Sequence, residues 1–97
     1  MIRWLLPMML AAGPAFAAGF GPGASVYEQH CASCHGSDGR PLLPGAPDFT
    51  RGESLLKSDR ELMDAVRFGI GSMPGFDHLI DREGLQDVVF YLRTLQR

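Results

Sequence analysis

The sequence lacks the size and the charge bias of several large classes of protein. It has 97 residues, which allow one small domain and exclude a dinucleotide-binding domain joined to a separate substrate domain. Neither sign of charge dominates, because 9 Lys and Arg face 11 Asp and Glu, for a formal net charge of -2. That balance argues against a nucleic-acid binder that relies on general attraction to phosphates.

Long hydrophobic runs are also missing. The apolar run from Trp4 to Ala12 is broken by a proline and falls short of the roughly 20 residues that a transmembrane helix needs. Arg3 precedes this run, and Ala15-Phe16-Ala17 follows it as a small-x-small cleavage signature. We therefore expect residues 1–17 to be a secretory signal peptide, with an uncleaved anchor as the alternative. Residues 18–97 then form the working domain, in an oxidising compartment.

Strand patterns and internal repeats are absent as well. No segment alternates apolar and polar residues convincingly, whereas apolar residues at helical spacing are frequent. The sequence predicts an all-α fold with three main helices and long loops, and loops that long in a small domain usually wrap something. The first predicted helix runs from Ala24 to Ala32. The second begins with the capping box Ser58–Glu61 and ends with a left-handed cap at Gly69. The third is capped by Asp81 and has one apolar face, formed by Leu85, Val88, Val89, Leu92 and Leu95.

The two cysteines are the residues with the clearest chemistry. Cys31-Ala32-Ser33-Cys34-His35 is a C-x-x-C-H motif, which is the attachment motif for c-type haem. The spacing places both thiols on one side of a helical turn, where they can add to the two vinyl groups on one edge of the porphyrin. His35 follows directly, so its imidazole is expected to be the proximal iron ligand. The motif predicts one covalently attached haem c, held through Cys31 and Cys34.

Three other interpretations of these cysteines remain open at this point. A thioredoxin-like redox pair would need a βαβ context, which the sequence does not show. A zinc site would need two further ligands, and His30 and His78 form no second pair. A disulfide over so short a loop would stabilise the domain little.

The second axial ligand is expected to be a thioether. Met73 lies in the glycine-rich stretch Gly69 to Phe76, where glycines let the backbone approach a macrocycle closely and Pro74 stiffens the loop. Met63 lies on the inner face of a predicted helix, where a core role is expected. His30 and His78 are the weaker rivals for this position.

The sequence resembles the small bacterial class I cytochromes c over nearly all of residues 18–97. Gly23, Tyr27 and Cys31 repeat the family's pattern of glycine, aromatic residue and first cysteine at four-residue steps, and Val88, Tyr91 and Leu92 match its C-terminal helix. The resemblance implies that Gly23 meets the helix that carries Tyr91. The Gly-Ser-Met-Pro-Gly-Phe stretch looks like the family's methionine loop, which again implies Met73.

The resemblance also implies supporting groups around the haem. The family usually has a proline whose carbonyl accepts a hydrogen bond from the proximal histidine. Pro44 is our preferred candidate, with Pro41 and Pro47 as competitors, although the loop departs from the commonest Gly-Pro arrangement. Side chains with suitable chemistry for the haem propionates are Arg40, Thr50, Arg51 and Lys57, with a solvated surface position as the alternative for each.

These expectations lead to a function. A haem iron bound by both His35 and Met73 has no free position for a substrate, which favours electron transfer over catalysis. We expect a periplasmic mono-haem carrier that is not an enzyme and that docks weakly with unidentified redox partner proteins. The alternatives are a haem subunit of a larger oxidoreductase and a peroxidase-like enzyme from which Met73 dissociates.

Overall fold

The structure is a computed structural model that describes residues 21–97, so the expected leader at residues 1–17 lies outside the described part. Within residues 21–97 there is no β-strand, and Ile70 and Met73 form an isolated bridge. The all-α prediction is confirmed. The elements are α1 (Gly21–His30), α2 (Ala32–His35), a 3-10 turn (Phe49–Arg51), α3 (Asp59–Phe68) and α4 (Arg82–Thr94).

The first predicted helix is two helices that meet at Cys31. Helix α1 begins three residues earlier than the sequence indicated, and Cys31 separates it from α2. Hydrogen bonding continues across the junction, because the Cys31 N–H donates to the Tyr27 carbonyl over 2.8 Å and the His35 N–H donates to the Cys31 carbonyl over 2.9 Å. The helix ends at Gly36, whose φ of 82° favours glycine. The cysteines and His35 therefore lie on a helical turn, as the motif required.

The two capped helices form where their side-chain caps predicted. Ser58 accepts a hydrogen bond from the Glu61 N–H, and Glu61 accepts one from the Ser58 N–H, which completes the capping box of α3. Asp81 accepts from the Gly84 N–H at the start of α4. The prediction of a left-handed cap at Gly69 was wrong, since its φ of 85° is paired with an extended ψ of 166°. The extended backbone directs the chain out of α3 into the next loop.

Helices α1 and α4 cross closely at Gly23. A Cβ built on Gly23 would collide with the backbone carbonyl of Asp87 and would lie 3.0 Å from the Tyr91 Cβ. One turn further along, the Tyr27 and Tyr91 rings meet at a centroid distance of 5.3 Å and an interplanar angle of 56°. This crossing is the one that the resemblance implied.

The apolar core joins the helices along α4. Its main cluster of buried residues comprises Tyr27, Cys31, Ala32, Phe49, Leu55, Leu62, Val88, Val89, Leu92 and Leu95. Arg93 ties the segment before α3 to α4, because its guanidinium donates to the carbonyls of Leu55 (2.8 Å) and Lys57 (2.9 Å) and to the Asp59 carboxylate. None of the helices in the described part of the chain is long and apolar enough to cross a membrane.

Candidate haem site

A cavity of ≈ 480 Å³ opens between the C-x-x-C-H turn, the loop over residues 38–47 and the loop that follows α3. The first of these loops contains Pro41, Pro44 and Pro47 and is called the proline loop below. Cys31, Cys34 and His35 line one side, and Met73 lies on its lining as well. Most of the remaining lining is apolar, as a porphyrin face requires. The further lining residues are Leu43, Pro44, Gly45, Ala46, Pro47, Phe49, Ser54, Lys57, Leu62, Ala65, Val66, Ile70, Gly71, Ser72, Pro74 and Leu92.

The backbone around the motif is fixed from both sides. The buried Tyr27 hydroxyl donates to the Gly36 carbonyl over 2.6 Å, which ties α1 to the residue that follows His35. The carbonyl of Cys34 accepts from the N–H groups of Leu42 (2.9 Å) and Leu43 (3.0 Å). The proline loop is thereby folded back onto the second cysteine.

The two thiols have different surroundings. Cys31 belongs to the core and is 7% exposed, and burial, with a smaller contribution from Cys34, raises its pKa to about 11. Cys34 is exposed. Both thiols are free and adjoin one cavity, which suits two thioether links to a single group.

The His35 side chain is half-buried at the edge of the cavity. Burial lowers the pKa of His35, which favours the neutral imidazole that can ligate iron. Among residues 21–97, its Nδ1 atom is buried without a hydrogen-bond partner. The ring instead stacks on the Phe49 ring, with a centroid distance of 5.0 Å and an interplanar angle of 25°.

Of the four rival candidates for the second axial ligand, Met73 lines the cavity and Met63, His30 and His78 do not. Met73 lines the cavity and its backbone is held by reciprocal hydrogen bonds with Ile70, of 2.9 and 3.1 Å. Met63 is half-buried against the core and does not line the cavity. His30 and His78 line a different cleft, on the side of α1 and the start of α4. The structure thus brings Met73 alone of these four side chains to the cysteines and His35.

The alternative interpretations of the cysteines find no support in this geometry. Across residues 21–97, no three His, Cys, Asp or Glu side chains are grouped so that they could hold a metal ion, as a zinc site would require. The same range has no βαβ unit around Cys31 and Cys34, which a thioredoxin-like site would need.

The expected supporting groups are only partly in place. Pro44 and Pro47 line the cavity, but the structure shows no hydrogen bond from His35 Nδ1 to any proline carbonyl within the described residues. Of the four candidate propionate partners, Lys57 lines the cavity. Thr50 is buried and donates its hydroxyl to Asp48 over 2.5 Å, so that group is already engaged.

Two supporting contacts were missed by sequence reasoning. The Tyr27 hydroxyl bond to Gly36 had a signal, since a tyrosine one turn before the motif carries a hydroxyl that needs a partner when buried. The stack of Phe49 on His35 had no signal in the sequence, because it joins residues that only the folded loop brings together.

Comparison with known proteins places the chain among c-type cytochromes. The model of the family described as "Cytochrome C oxidase, cbb3-type, subunit III" matches residues 18–92. Cytochrome c550 from Pseudomonas aeruginosa is 37% identical over 78 residues, which are 75% of this chain and 53% of that protein. The cbb3-type cytochrome c oxidase subunit CcoP from Cereibacter sphaeroides is 32% identical over 78 residues, 75% of this chain but 26% of the subunit.

The chain therefore spans about half or less of these two curated relatives. A solved structure titled "KustC0563 c-type cytochrome" superposes with a TM-score of 0.71 at 30% identity, and the match covers 77% of this chain and 98% of that one. The helices around the cavity thus have the arrangement of a small c-type cytochrome.

Proposed function

The chain belongs to the cytochrome c family whose model is described as cbb3-type oxidase subunit III, and on that premise we propose that it is a periplasmic mono-haem cytochrome that carries single electrons between redox proteins. One observation carries the proposal: the structure brings Cys31, Cys34, His35 and Met73 onto the lining of one apolar cavity. Members of this family bind covalently attached haem c.

The residues present fit that group. Cys31 and Cys34 would hold it through thioethers, while His35 and Met73 would be the axial ligands of its iron. A bound haem supplies a one-electron Fe(III)/Fe(II) couple, and a thioether ligand raises its potential. The chain itself provides an imidazole whose lowered pKa favours the neutral form, an apolar enclosure and a methionine whose backbone is held within its loop.

If His35 and Met73 both bind the haem iron, it would have no free coordination position, which argues for a carrier and against an enzyme. With His35 and Met73 both bound, no side chain would need to leave for electron transfer, whereas a substrate would have to displace Met73. The reduced protein is therefore expected not to bind carbon monoxide rapidly. Rapid binding would support the peroxidase-like alternative.

The axial assignment can be tested with a matched pair of methionine variants. Met73→Ala should abolish the weak red absorption band that is typical of iron–thioether ligation, while Met63→Ala should retain it, because Met63 lies off the cavity. A pyridine haemochrome spectrum and a redox titration of the wild-type protein would report haem attachment and redox competence. Retention of the red band in oxidised Met73→Ala would refute the ligand assignment.

Export is tested separately. If residues 1–17 are a signal peptide, the protein from a periplasmic fraction should begin at Ala18, as read by intact mass with one haem added. A periplasmic mass that includes the leader would support an anchor.

A second function follows from the match to CcoP. Because the chain resembles a quarter of a subunit named for an oxidase complex, a permanent haem-bearing subunit of a larger oxidoreductase is the alternative. Gentle purification followed by size-exclusion chromatography distinguishes the two. A haem absorbance peak at the size of the monomer supports a free carrier, and co-elution with a larger oxidoreductase supports the subunit.

A further inference from the structure

The Phe49 ring lies against the face of the His35 imidazole. The ring centroids are 5.0 Å apart and the planes differ by 25°, which is an offset-stacked pair. Phe49 is 6% exposed, and both side chains adjoin the cavity. The stack is therefore part of the cavity wall.

Within the described residues, no hydrogen bond orients the His35 ring through its buried Nδ1 atom. A proximal histidine is usually oriented by a hydrogen bond from its second ring nitrogen. Here Nδ1 is buried and has no partner among residues 21–97. The stack on Phe49 is the aromatic contact that the described residues provide to this imidazole.

Phe49 is itself held firmly. The 3-10 turn that carries it is capped by Asp48, which accepts from the Thr50 N–H over 2.9 Å. The Phe49 N–H donates to the Gly39 carbonyl over 3.0 Å. A Cβ on Gly39 would lie 3.3 Å from the Phe49 Cβ and 3.2 Å from the Leu95 Cβ, so little space is left between the turn and the end of α4.

The C-terminus adds a further tie to this turn. The Arg97 N–H donates to the Thr50 carbonyl over 2.9 Å, and Gln96 lies against Gly52 at the end of the turn. The turn that carries Phe49 is thus held by the residues that follow α4, while the Phe49 ring lies against His35.

We propose that Phe49 is a positioning residue for the proximal iron ligand, and that its ring, in place of a hydrogen bond at Nδ1, sets the orientation of the His35 imidazole plane. The inference rests on the proposed function, in which His35 ligates the haem iron. The orientation of an axial imidazole plane governs its π overlap with the iron d orbitals. That overlap determines the g anisotropy of a low-spin ferric haem. A substitution that only lowers the free energy of unfolding does not alter this anisotropy.

Phe49→Leu tests this inference, because it keeps an apolar side chain but removes the flat face. The matched control is Val89→Ala, since Val89 is 2% exposed in the same core cluster but does not line the cavity. Both variants should lower the melting temperature. Of these two variants, only Phe49→Leu should shift or split the g values in the low-temperature electron paramagnetic resonance spectrum of the oxidised haem protein. A third variant, Phe49→Tyr, retains the aromatic ring and should keep the wild-type g values.

A second measurement does not depend on the variants folding. In the reduced, diamagnetic wild-type protein, nuclear Overhauser contacts should join the Phe49 ring protons to the His35 side chain. Absence of those contacts, or a Phe49→Leu spectrum with wild-type g values and only a lowered melting temperature, would overturn the inference. If the wild-type protein showed no low-spin signal from His and Met ligation, the proposed function would fail instead, so the two failures are distinguishable.

Discussion

Replacement of Gly23 by alanine sets two physical effects of opposite sign against each other. Gly23 lies inside α1, where alanine would be favoured over glycine by about 1 kcal/mol of helix propensity. The added Cβ, however, would collide with the Asp87 carbonyl oxygen, lie 2.8 Å from the carbonyl carbon and 3.0 Å from the Tyr91 Cβ. Two of these three atoms are backbone, so they cannot move aside by changing a rotamer.

The steric effect is expected to win. Overpacking of this kind costs about 1–3 kcal/mol even where flexible side chains can adjust, and here α1 and α4 must separate as rigid helices. With a steric cost in the upper part of that range and a helix-propensity gain of about 1 kcal/mol subtracted, we expect the free energy of unfolding to fall by about 1–2 kcal/mol. For a domain of this size, each kcal/mol lowers the melting temperature by roughly 4–8 °C. Guanidinium unfolding of the haem-loaded protein, followed by helical circular dichroism, measures the change.

Two controls isolate the cause. Ser25→Ala adds an alanine at an exposed site of the same helix and should leave stability equal or slightly higher. Combining Gly23→Ala with Tyr91→Ala should rescue little, because the nearest atoms belong to the Asp87 backbone. A Gly23→Ala protein as stable as the wild type, or more stable, would refute the close-crossing argument.

Three further predictions concern polar groups. Tyr27→Phe should cost about 0.5–1.5 kcal/mol or somewhat more, measured by thermal unfolding, because it leaves the Gly36 carbonyl without the buried hydroxyl. Ser58→Ala should cost about 0.5–2 kcal/mol in the same assay, since it removes the capping box of α3. Hydrogen bonding from the Thr50 hydroxyl lowers the pKa of Asp48 below its ordinary 3.8, so the charged form favours the folded state. The stability gap between wild type and Asp48→Asn should be complete above that value and disappear as pH falls through the folded pKa.

A specific experimental result would contradict each of these three predictions. Tyr27→Phe with unchanged stability would mean that the Gly36 carbonyl finds another donor. A Ser58→Ala melting temperature equal to that of Ser33→Ala, a change at an exposed serine outside any cap, would deny the capping contribution. A wild-type to Asp48→Asn gap that stays constant in denaturation series down to strongly acidic pH would show that ionisation of Asp48 is not linked to folding.

What could be predicted from the sequence was encoded locally. The caps at Ser58 and Asp81 involve residues three apart, and α3 and α4 begin where those caps indicate. The crossing at Gly23 was reached through resemblance, since nothing local indicates which helix a small residue faces. The 3-10 turn was missed, although Asp48 two residues before Thr50 is a recognisable local cap.

The candidate site likewise has a part that the sequence predicts and a part that depends on the folded loops. Cys31, Cys34 and His35 follow from one contiguous motif, and the structure places them on one wall. The stack of Phe49 on His35 depends on how the proline loop returns, which no periodicity encodes. The absence of a proline hydrogen bond at Nδ1 likewise depends on the loop's path and not on which prolines it contains.

Helix α4 supports the whole site although Leu92 is its one residue on the cavity lining. It meets α1 at Gly23, which sets where the C-x-x-C-H turn begins. Through Arg93 it holds the segment that leads into α3, and beyond that helix lies the Met73 loop. Its end also packs near the turn that presents Phe49 to His35. Because the helix that leads into the His35 turn and the segment that leads into α3 both contact α4, changes that displace α4 should alter the ligand spectrum as well as stability.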